Sequence, residues 1–138
     1  MSQRFETEFR SLAYDQTPGT GPGMVFLGGF QSDKNGIKAM FFEDYAKSKG
    51  RPFLRFDYSG HGTSAGRVED HTLGDWIEDA AAIILGLTKG PQVLVASSMG
   101  GWISLVLAKR MPERIAGLVT IAAAPDFTER LYLSLIHI

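Results

Sequence analysis

The sequence predicts an α/β fold built on a mostly parallel sheet flanked by helices. Short apolar runs without polar alternation recur along the chain, as is typical of strands buried on both faces, at residues 24–27, 53–56, 92–96 and 115–122. Segments with apolar residues at helical spacing separate these runs. Strand and helix therefore alternate as in βαβ units, in which ligands bind at the carboxyl ends of the strands.

The composition fits one globular domain with a hydrophobic core. The 138 residues are 44% hydrophobic and 21% charged, and the net charge of −1 comes from interspersed residues of both signs. This charge pattern favours neither nucleic acid nor an anionic membrane surface as a partner. No run approaches the roughly 18 apolar residues of a membrane-spanning helix. We therefore predict a protein with no nucleic-acid partner and no membrane span.

Two further features bear on the cellular compartment. Cysteine is absent, which excludes disulfides and thiolate chemistry. Residues 1–10 mix charges of both signs with two phenylalanines, and they lack the pattern of a signal or transit peptide. From these features we expect a cytoplasmic protein.

The first segments predict an edge strand and a loop. Residues 5–14 begin by alternating Phe5, Thr7 and Phe9 with charged side chains, and a period of two predicts a single edge strand with one solvated face. Glycine and proline then dominate residues 17–23, which predicts a loop.

Two amphipathic helices are predicted between the strands. In the first, Glu43 and the other charged residues are expected to face solvent, and Gly50 is placed to end the helix. The side chains expected to face the sheet are Ile37, Met40, Phe41 and Tyr45. In the second helix, Thr72 and Asp75 have the spacing of a capping box, and an apolar stripe runs from Leu73 to Ile84.

The strand at residues 92–96 leads into the segment with the strongest chemical signal. It breaks at a serine between small residues, and helical periodicity then continues to about Met111. A serine at such a strand-to-helix turn lies above the end of the strand, beside the free N–H groups of the helix start. This is the arrangement of a nucleophile elbow.

The elbow pattern distinguishes Ser98 from Ser97. The usual pattern is G-x-S-x-G, and around Ser98 the flanking positions are the small residues Ala96 and Gly100. Around Ser97 the flanking residues would be a valine and a methionine, which are too bulky where strand and helix nearly touch. Ser98 is therefore the candidate nucleophile. An ordinary serine-glycine connection is the alternative interpretation of the tetrapeptide taken alone.

Three motifs in this order resemble the α/β-hydrolase superfamily. They are Leu27-Gly28-Gly29-Phe30, the segment Arg55-Phe56-Asp57-Tyr58-Ser59-Gly60-His61-Gly62-Thr63-Ser64, and the segment Ala96-Ser97-Ser98-Met99-Gly100-Gly101-Trp102. Together with Gln31-Ser32-Asp33 they are similar to the serine hydrolases of the abhydrolase-10 type, which are palmitoyl-protein thioesterase-like, and to their bacterial relatives. The resemblance covers roughly residues 5–130.

The resemblance implies a function and a set of site residues. It makes Ser98 the nucleophile and makes the backbone N–H groups of Met99 and Phe30 the oxyanion-hole donors. The implied reaction is cleavage of carboxylic ester or acyl-thioester bonds through an acyl-enzyme. The implied substrate is a small molecule or an acylated protein, and no cofactor or metal is expected. The oligomeric state stays open.

The acid and the base of a catalytic triad are harder to assign. The family order is serine, then acid, then histidine, and forty residues follow Ser98. Asp126 is a candidate acid, because some α/β-hydrolases place their acid after this strand; a turn or helix-cap role beside Pro125 is the alternative. No histidine is identified as the base. His137 follows the elbow too closely, whereas His61 and His71 fit a loop role and a capping role.

The missing base leads to a prediction about domain organisation. We expect residues 1–130 to be the N-terminal part of a single α/β-hydrolase domain and residues 131–138 to be a non-native-looking tail. The chain on its own is then expected to be inactive. The alternative is a non-catalytic α/β-hydrolase-like binding protein, in which the elbow serine persists without a base.

Overall fold

A computed structural model describes residues 3–121, which form one sheet with helices on both faces. Within this range the strand order is β1-β2-β4-β3-β5-β6. The strands are β1 (Gln3–Glu6), β2 (Ser11–Thr17), β3 (Gly23–Leu27), β4 (Phe53–Phe56), β5 (Gln92–Ser97) and β6 (Ile115–Ile121). The helices are α1 (Ile37–Ser48), α2 (Leu73–Leu87) and α3 (Met99–Arg110), with short 3₁₀ turns at Val68–Asp70 and Pro112–Arg114. Strands β3 to β6 pair in parallel, and this confirms the predicted fold class.

The prediction of one edge strand over residues 5–14 is wrong. The segment forms a hairpin in which β1 and β2 pair antiparallel, and β2 pairs antiparallel with β4. The reason is the hydroxyl of Thr7, which accepts hydrogen bonds from the backbone N–H groups of Phe9 and Arg10 and so stabilises a turn. Phe9 lies at this turn with 82% of its surface exposed.

Alternate residues of the central strands bury the two faces of the sheet. In β3, Val25 and Leu27 pack with residues of α2 and α3, whereas Phe26 packs with α1 on the opposite face. The larger cluster, on the α2 and α3 side, also contains Met99 from the start of α3. The first residue of the predicted elbow helix is thereby fixed in the core.

The predicted orientation of α1 is wrong. Ile37, Phe41 and Tyr45 are 91%, 63% and 45% exposed, whereas Ala39, Glu43 and Ala46 are buried. The physical reason is Arg55 in the buried strand β4, whose guanidinium needs a carboxylate partner. Glu43 supplies it, and the two small alanines let the same face of the helix approach the sheet.

The predicted start of α2 is confirmed. The Thr72 hydroxyl accepts a hydrogen bond from the Asp75 N–H at 3.2 Å, and the Asp75 carboxylate accepts one from the Thr72 N–H at 3.0 Å. Two N–H groups that the helix cannot satisfy are therefore paired. The stripe that follows buries Trp76, Ala80 and Ile84. None of the helices found in residues 3–121 is long and apolar enough to cross a bilayer.

Candidate active site

The loops that follow β3, β4 and β5 meet at the carboxyl edge of the sheet. The three strands are parallel neighbours in the order β4-β3-β5, so their following loops leave from the same edge. A Cβ on Gly29 would lie 3.4 Å from the Cβ of Ser98. The Tyr58 hydroxyl also donates a hydrogen bond to the Gly28 carbonyl at 3.0 Å. The structure therefore brings the three sequence motifs together at one edge of the sheet.

Ser98 occupies the turn between β5 and α3 in a strained backbone conformation. Its φ is 53° and its ψ is −116°, values that a residue with a side chain rarely adopts. Such strain costs on the order of 1–3 kcal/mol and persists only where the surrounding structure enforces it. Here the Ser98 N–H donates to the Ile121 carbonyl at 3.1 Å, and the Ser98 carbonyl accepts from the Gly101 N–H at 2.8 Å. Ser98 is exposed at this turn.

Close packing on both sides of the turn explains its small residues. A Cβ on Gly100 would overlap the backbone carbonyl of Leu27 at the end of β3. Ala96, two residues before Ser98, is fully buried between neighbouring strands. Both positions that flank Ser98 in the elbow pattern are therefore sterically restricted.

Two backbone segments approach the serine. Met99 is the first residue of α3, so its N–H has no acceptor within the helix and lies at the positive end of the helix dipole. Phe30 directly follows Gly29, which lies against Ser98. Ser98, Met99 and the Gly29-Phe30 peptide thus lie next to one another in the structure.

An aromatic cluster supports the loop that carries Phe30. The Phe30 ring lies 5.6 Å from the Trp76 ring and 6.0 Å from the His61 ring, measured between centroids. His61 also contacts Tyr58 and Trp76 edge-on. Burial raises the pKa of the Tyr58 hydroxyl, which therefore stays protonated and keeps its hydrogen bond to Gly28. The sequence analysis did not detect this cluster.

The two described histidines make hydrogen bonds away from Ser98. His61 is 3% exposed, and its Nδ1 lies 3.1 Å from the Ser59 carbonyl, which can only accept a hydrogen bond. Nδ1 therefore carries the proton, and the buried Nε2 has no hydrogen-bond partner among residues 3–121. The Nδ1 of His71 lies 3.3 Å from the Asp75 carboxylate at the start of α2. Asp126, His137 and the predicted tail 131–138 lie outside the described residues.

A buried ionic network lies beside the loop between β3 and α1. Arg55 donates through Nε to the Glu43 carboxylate at 2.7 Å and makes an ion pair with Asp15 at 3.1 Å. Lys34, only 3% exposed, also pairs with Asp15 through its Nζ. Asp57 accepts the Lys34 backbone N–H at 2.6 Å and the Thr63 N–H at 3.1 Å. The network therefore links the loops after β3 and β4.

The carboxylates of this network respond differently to burial. Burial by itself would raise the pKa of Asp15 and Glu43, but neighbouring cations outweigh it and lower both pKa values. Lys34 and Arg55 act on Asp15, and Arg55 and Lys47 act on Glu43. Asp57 instead accepts hydrogen bonds from backbone N–H groups. Burial therefore raises the pKa of Asp57, and its backbone hydrogen bonds offset only part of the increase.

The ionic network was not predicted from the sequence, although the sequence contains one signal of it. An arginine in the middle of the apolar strand Phe53–Phe56 can be buried only if it is paired. The identity of its partner depends on how α1 rotates, which periodicity did not predict. Across residues 3–121 no group of histidine, aspartate and glutamate side chains could hold a metal ion.

Comparison with known proteins agrees with this fold. The α/β hydrolase fold family matches residues 24–135, and the chain therefore belongs to that family. Among its relatives is the mitochondrial palmitoyl-protein thioesterase ABHD10. The mouse protein is 44% identical over 120 residues, which are 87% of this chain and 40% of the relative. The human protein is 46% identical over 116 residues, or 84% of this chain and 38% of the relative.

A solved structure extends the similarity to three dimensions. Mouse alpha/beta hydrolase domain-containing protein 10 superposes with a TM-score of 0.92 at 39% identity, over 97% of this chain and 54% of that chain. The chain thus spans about 40% of the length of the curated relatives it matches.

The expectation of a cytoplasmic protein is wrong. The thioesterases that share 44–46% identity with this chain are named as mitochondrial proteins. Absent cysteine and the lack of a long apolar run are common to folded domains of several compartments. These features therefore carried too little information to assign a location.

We predict that replacing Gly100 with alanine severely destabilises the protein, because the new Cβ would overlap the Leu27 carbonyl. The matched control is Gly74→Ala, since a Cβ there would meet only the Thr72 hydroxyl at an ordinary 3.5 Å. Soluble yield and urea unfolding would measure the difference. Equal stability of the two variants would contradict the close packing described for the elbow.

We also predict that acid destabilises the protein through Asp15 and Glu43. Folding lowers both pKa values, so the two ionised carboxylates stabilise the folded protein. This stabilisation is complete above the pKa values of the unfolded chain, about 3.9 and 4.3, and is lost as the pH falls through the pKa values of the folded protein. Urea unfolding of wild type and Glu43→Gln from about pH 6 down to about pH 3 would measure this. The variant should lose less stability on acidification. Asp57, with its raised pKa, acts with the opposite sign but is common to both proteins and cancels. Parallel pH profiles would contradict the prediction.

Proposed function

We propose that the protein to which this chain belongs hydrolyses carboxylic ester or acyl-thioester bonds through an acyl-enzyme on Ser98. The observation that carries the proposal is the backbone of Ser98, held at a φ of 53° at the start of α3 and packed against Gly29. A strained strand-to-helix turn of this kind exposes a serine hydroxyl and surrounds it with backbone donors. The palmitoyl-protein thioesterase names of the relatives support the same bond class.

The proposed chemistry assigns the described residues distinct parts. The Ser98 hydroxyl oxygen attacks the substrate carbonyl carbon and loses its proton to a base. The N–H groups of Met99 and Phe30 stabilise the oxyanion, and losing one such donor costs on the order of 3 kcal/mol in the transition state. Collapse expels the alcohol or thiol, and water then releases the acid from Ser98. Asp126 remains the candidate acid, and no described histidine is proposed as the base.

The proposed substrate class is an acyl ester or thioester on a small molecule or on a protein. Support for acylated protein comes from the relatives' names, which specify palmitoyl-protein. We further propose that residues 1–130 form the N-terminal part of a single α/β-hydrolase domain, because the chain spans about 40% of the curated relatives.

A second candidate is a binding protein with the same fold but no turnover. It is favoured by one observation: among residues 3–121, the imidazoles of His61 and His71 make their hydrogen bonds elsewhere and leave Ser98 without a base. Reactivity of the serine separates the two candidates, since a hydroxyl without a base is a weak nucleophile.

The full-length gene product should react covalently with a fluorophosphonate at Ser98, because the probe needs an activated serine beside an oxyanion hole. Ser98→Ala should remove the adduct, whereas the neighbouring Ser97→Ala should retain it. Peptide mass spectrometry would locate the modified residue. An unmodified wild-type protein, or labelling that survives in Ser98→Ala, would exclude the proposed mechanism.

A further inference from the structure

We propose that Arg55 is a positioning residue for the oxyanion hole, because its guanidinium fixes the loop 28–36 that presents the Phe30 N–H to Ser98. This inference rests on the proposed function and adds to it a residue that does not itself reach the reacting atoms. It is drawn from the hydrogen bonds that surround the loop.

Arg55 joins three parts of the structure through one rigid group. From the buried strand β4, its Nη1 donates to the Lys34 carbonyl at 3.0 Å and to the Asn35 side-chain oxygen at 2.7 Å. Its Nε donates to Glu43 on α1 at 2.7 Å. Because the guanidinium is planar, these donors have fixed relative directions. The end of the loop is therefore held against both the sheet and the helix that follows it.

Lys34 receives further contacts that complete the anchoring. Its backbone N–H donates to Asp57 at 2.6 Å, and its Nζ pairs with Asp15. The N–H, the carbonyl and the side chain of this one residue thus each have a partner on a different strand or loop. These contacts leave Lys34 little freedom to move, and Arg55 supplies the one that holds its carbonyl.

The segment between Phe30 and Lys34 is too tightly turned to absorb a displacement. The Ser32 N–H donates to the Gly29 carbonyl at 3.1 Å, and Gln31 has a left-handed φ of 61°. On the other side, the Phe30 ring packs against Trp76 and His61. A shift at Lys34 would therefore be passed to the peptide that precedes Phe30.

The energetics favour a geometric role for the network over a purely stabilising one. Buried ion pairs often contribute no more stability than apolar residues of the same volume, because desolvation offsets the attraction. The reaction rate, in contrast, depends strongly on where an oxyanion donor lies, since a misplacement of about 1 Å can lower the rate about a hundredfold.

The test compares Arg55→Lys with Arg114→Lys in the full-length gene product, with p-nitrophenyl butyrate as the probe substrate. Lysine keeps the charge at position 55 but cannot supply the forked donors. We expect kcat to fall ten- to a hundredfold with KM within about twofold of wild type, because an oxyanion donor acts on the transition state. Arg114 binds the carbonyls of Ile84, Thr88 and Gly90, remote from the loop, so its variant should lose stability but keep kcat.

A second pair of variants changes less of the buried network and keeps the test valid if Arg55→Lys does not fold. Asn35→Ala removes one hydrogen-bond acceptor of Arg55 and should lower kcat by about three- to tenfold. Asn35→Asp keeps a side-chain oxygen as the acceptor, and its kcat should be close to that of the wild type. Wild-type kcat in both Arg55→Lys and Asn35→Ala would overturn the positioning role.

Hydrogen exchange separates this inference from the proposed function. Arg55→Lys should speed amide exchange in residues 29–35 and leave residues 93–104 unchanged. A wild-type protein whose Ser98 does not react with fluorophosphonate would overturn the proposed function. Unchanged protection of residues 29–35 in Arg55→Lys would overturn the positioning role in either case.

Discussion

The candidate site depends on the close contact between the end of β3 and the elbow after β5. The two strands are parallel neighbours, and Gly100 packs so tightly on the Leu27 carbonyl that no side chain fits. The same contact brings Gly29 against Ser98. It also leaves the turn little room to relax, so that Ser98 keeps a backbone conformation that costs on the order of 1–3 kcal/mol. One steric constraint thus supports both the exposure of the serine and the approach of the opposite loop.

The loop opposite the serine is supported by two different kinds of interaction. At its start, the Tyr58 hydroxyl binds the Gly28 carbonyl, and the Phe30 ring packs among aromatic side chains. At its end, Arg55 and Asp57 hold Lys34 through hydrogen bonds inside a buried ionic network. Apolar packing tolerates small shifts, whereas charge-assisted hydrogen bonds have defined directions. The combination holds both ends of the loop that carries the proposed oxyanion donor.

Much of the fold and the centre of the site could be predicted from local sequence patterns. Apolar runs located the parallel strands, and the spacing of Thr72 and Asp75 located the start of α2, because each signal acts over a few residues. The face of α1 could not be predicted in this way. Its apolar stripe indicated burial of Phe41, but the need of Arg55 for a carboxylate buried Glu43 instead. The hairpin was missed because the Thr7 hydroxyl stabilises a turn inside an alternating pattern. An ion pair between residues distant in the sequence decided the first case, and a local hydrogen bond from the backbone to a side chain, which periodicity does not register, decided the second.

In the proposed mechanism, Ser98 carries the acyl group during turnover. The most direct measurement is mass spectrometry of the full-length gene product, quenched in acid within the first turnover of a palmitoyl thioester. We expect a mass increase equal to one palmitoyl group on the peptide that contains Ser98, and no such increase in Ser98→Ala. Turnover of the thioester with no acyl group on that peptide, or with the group on another residue, would contradict it.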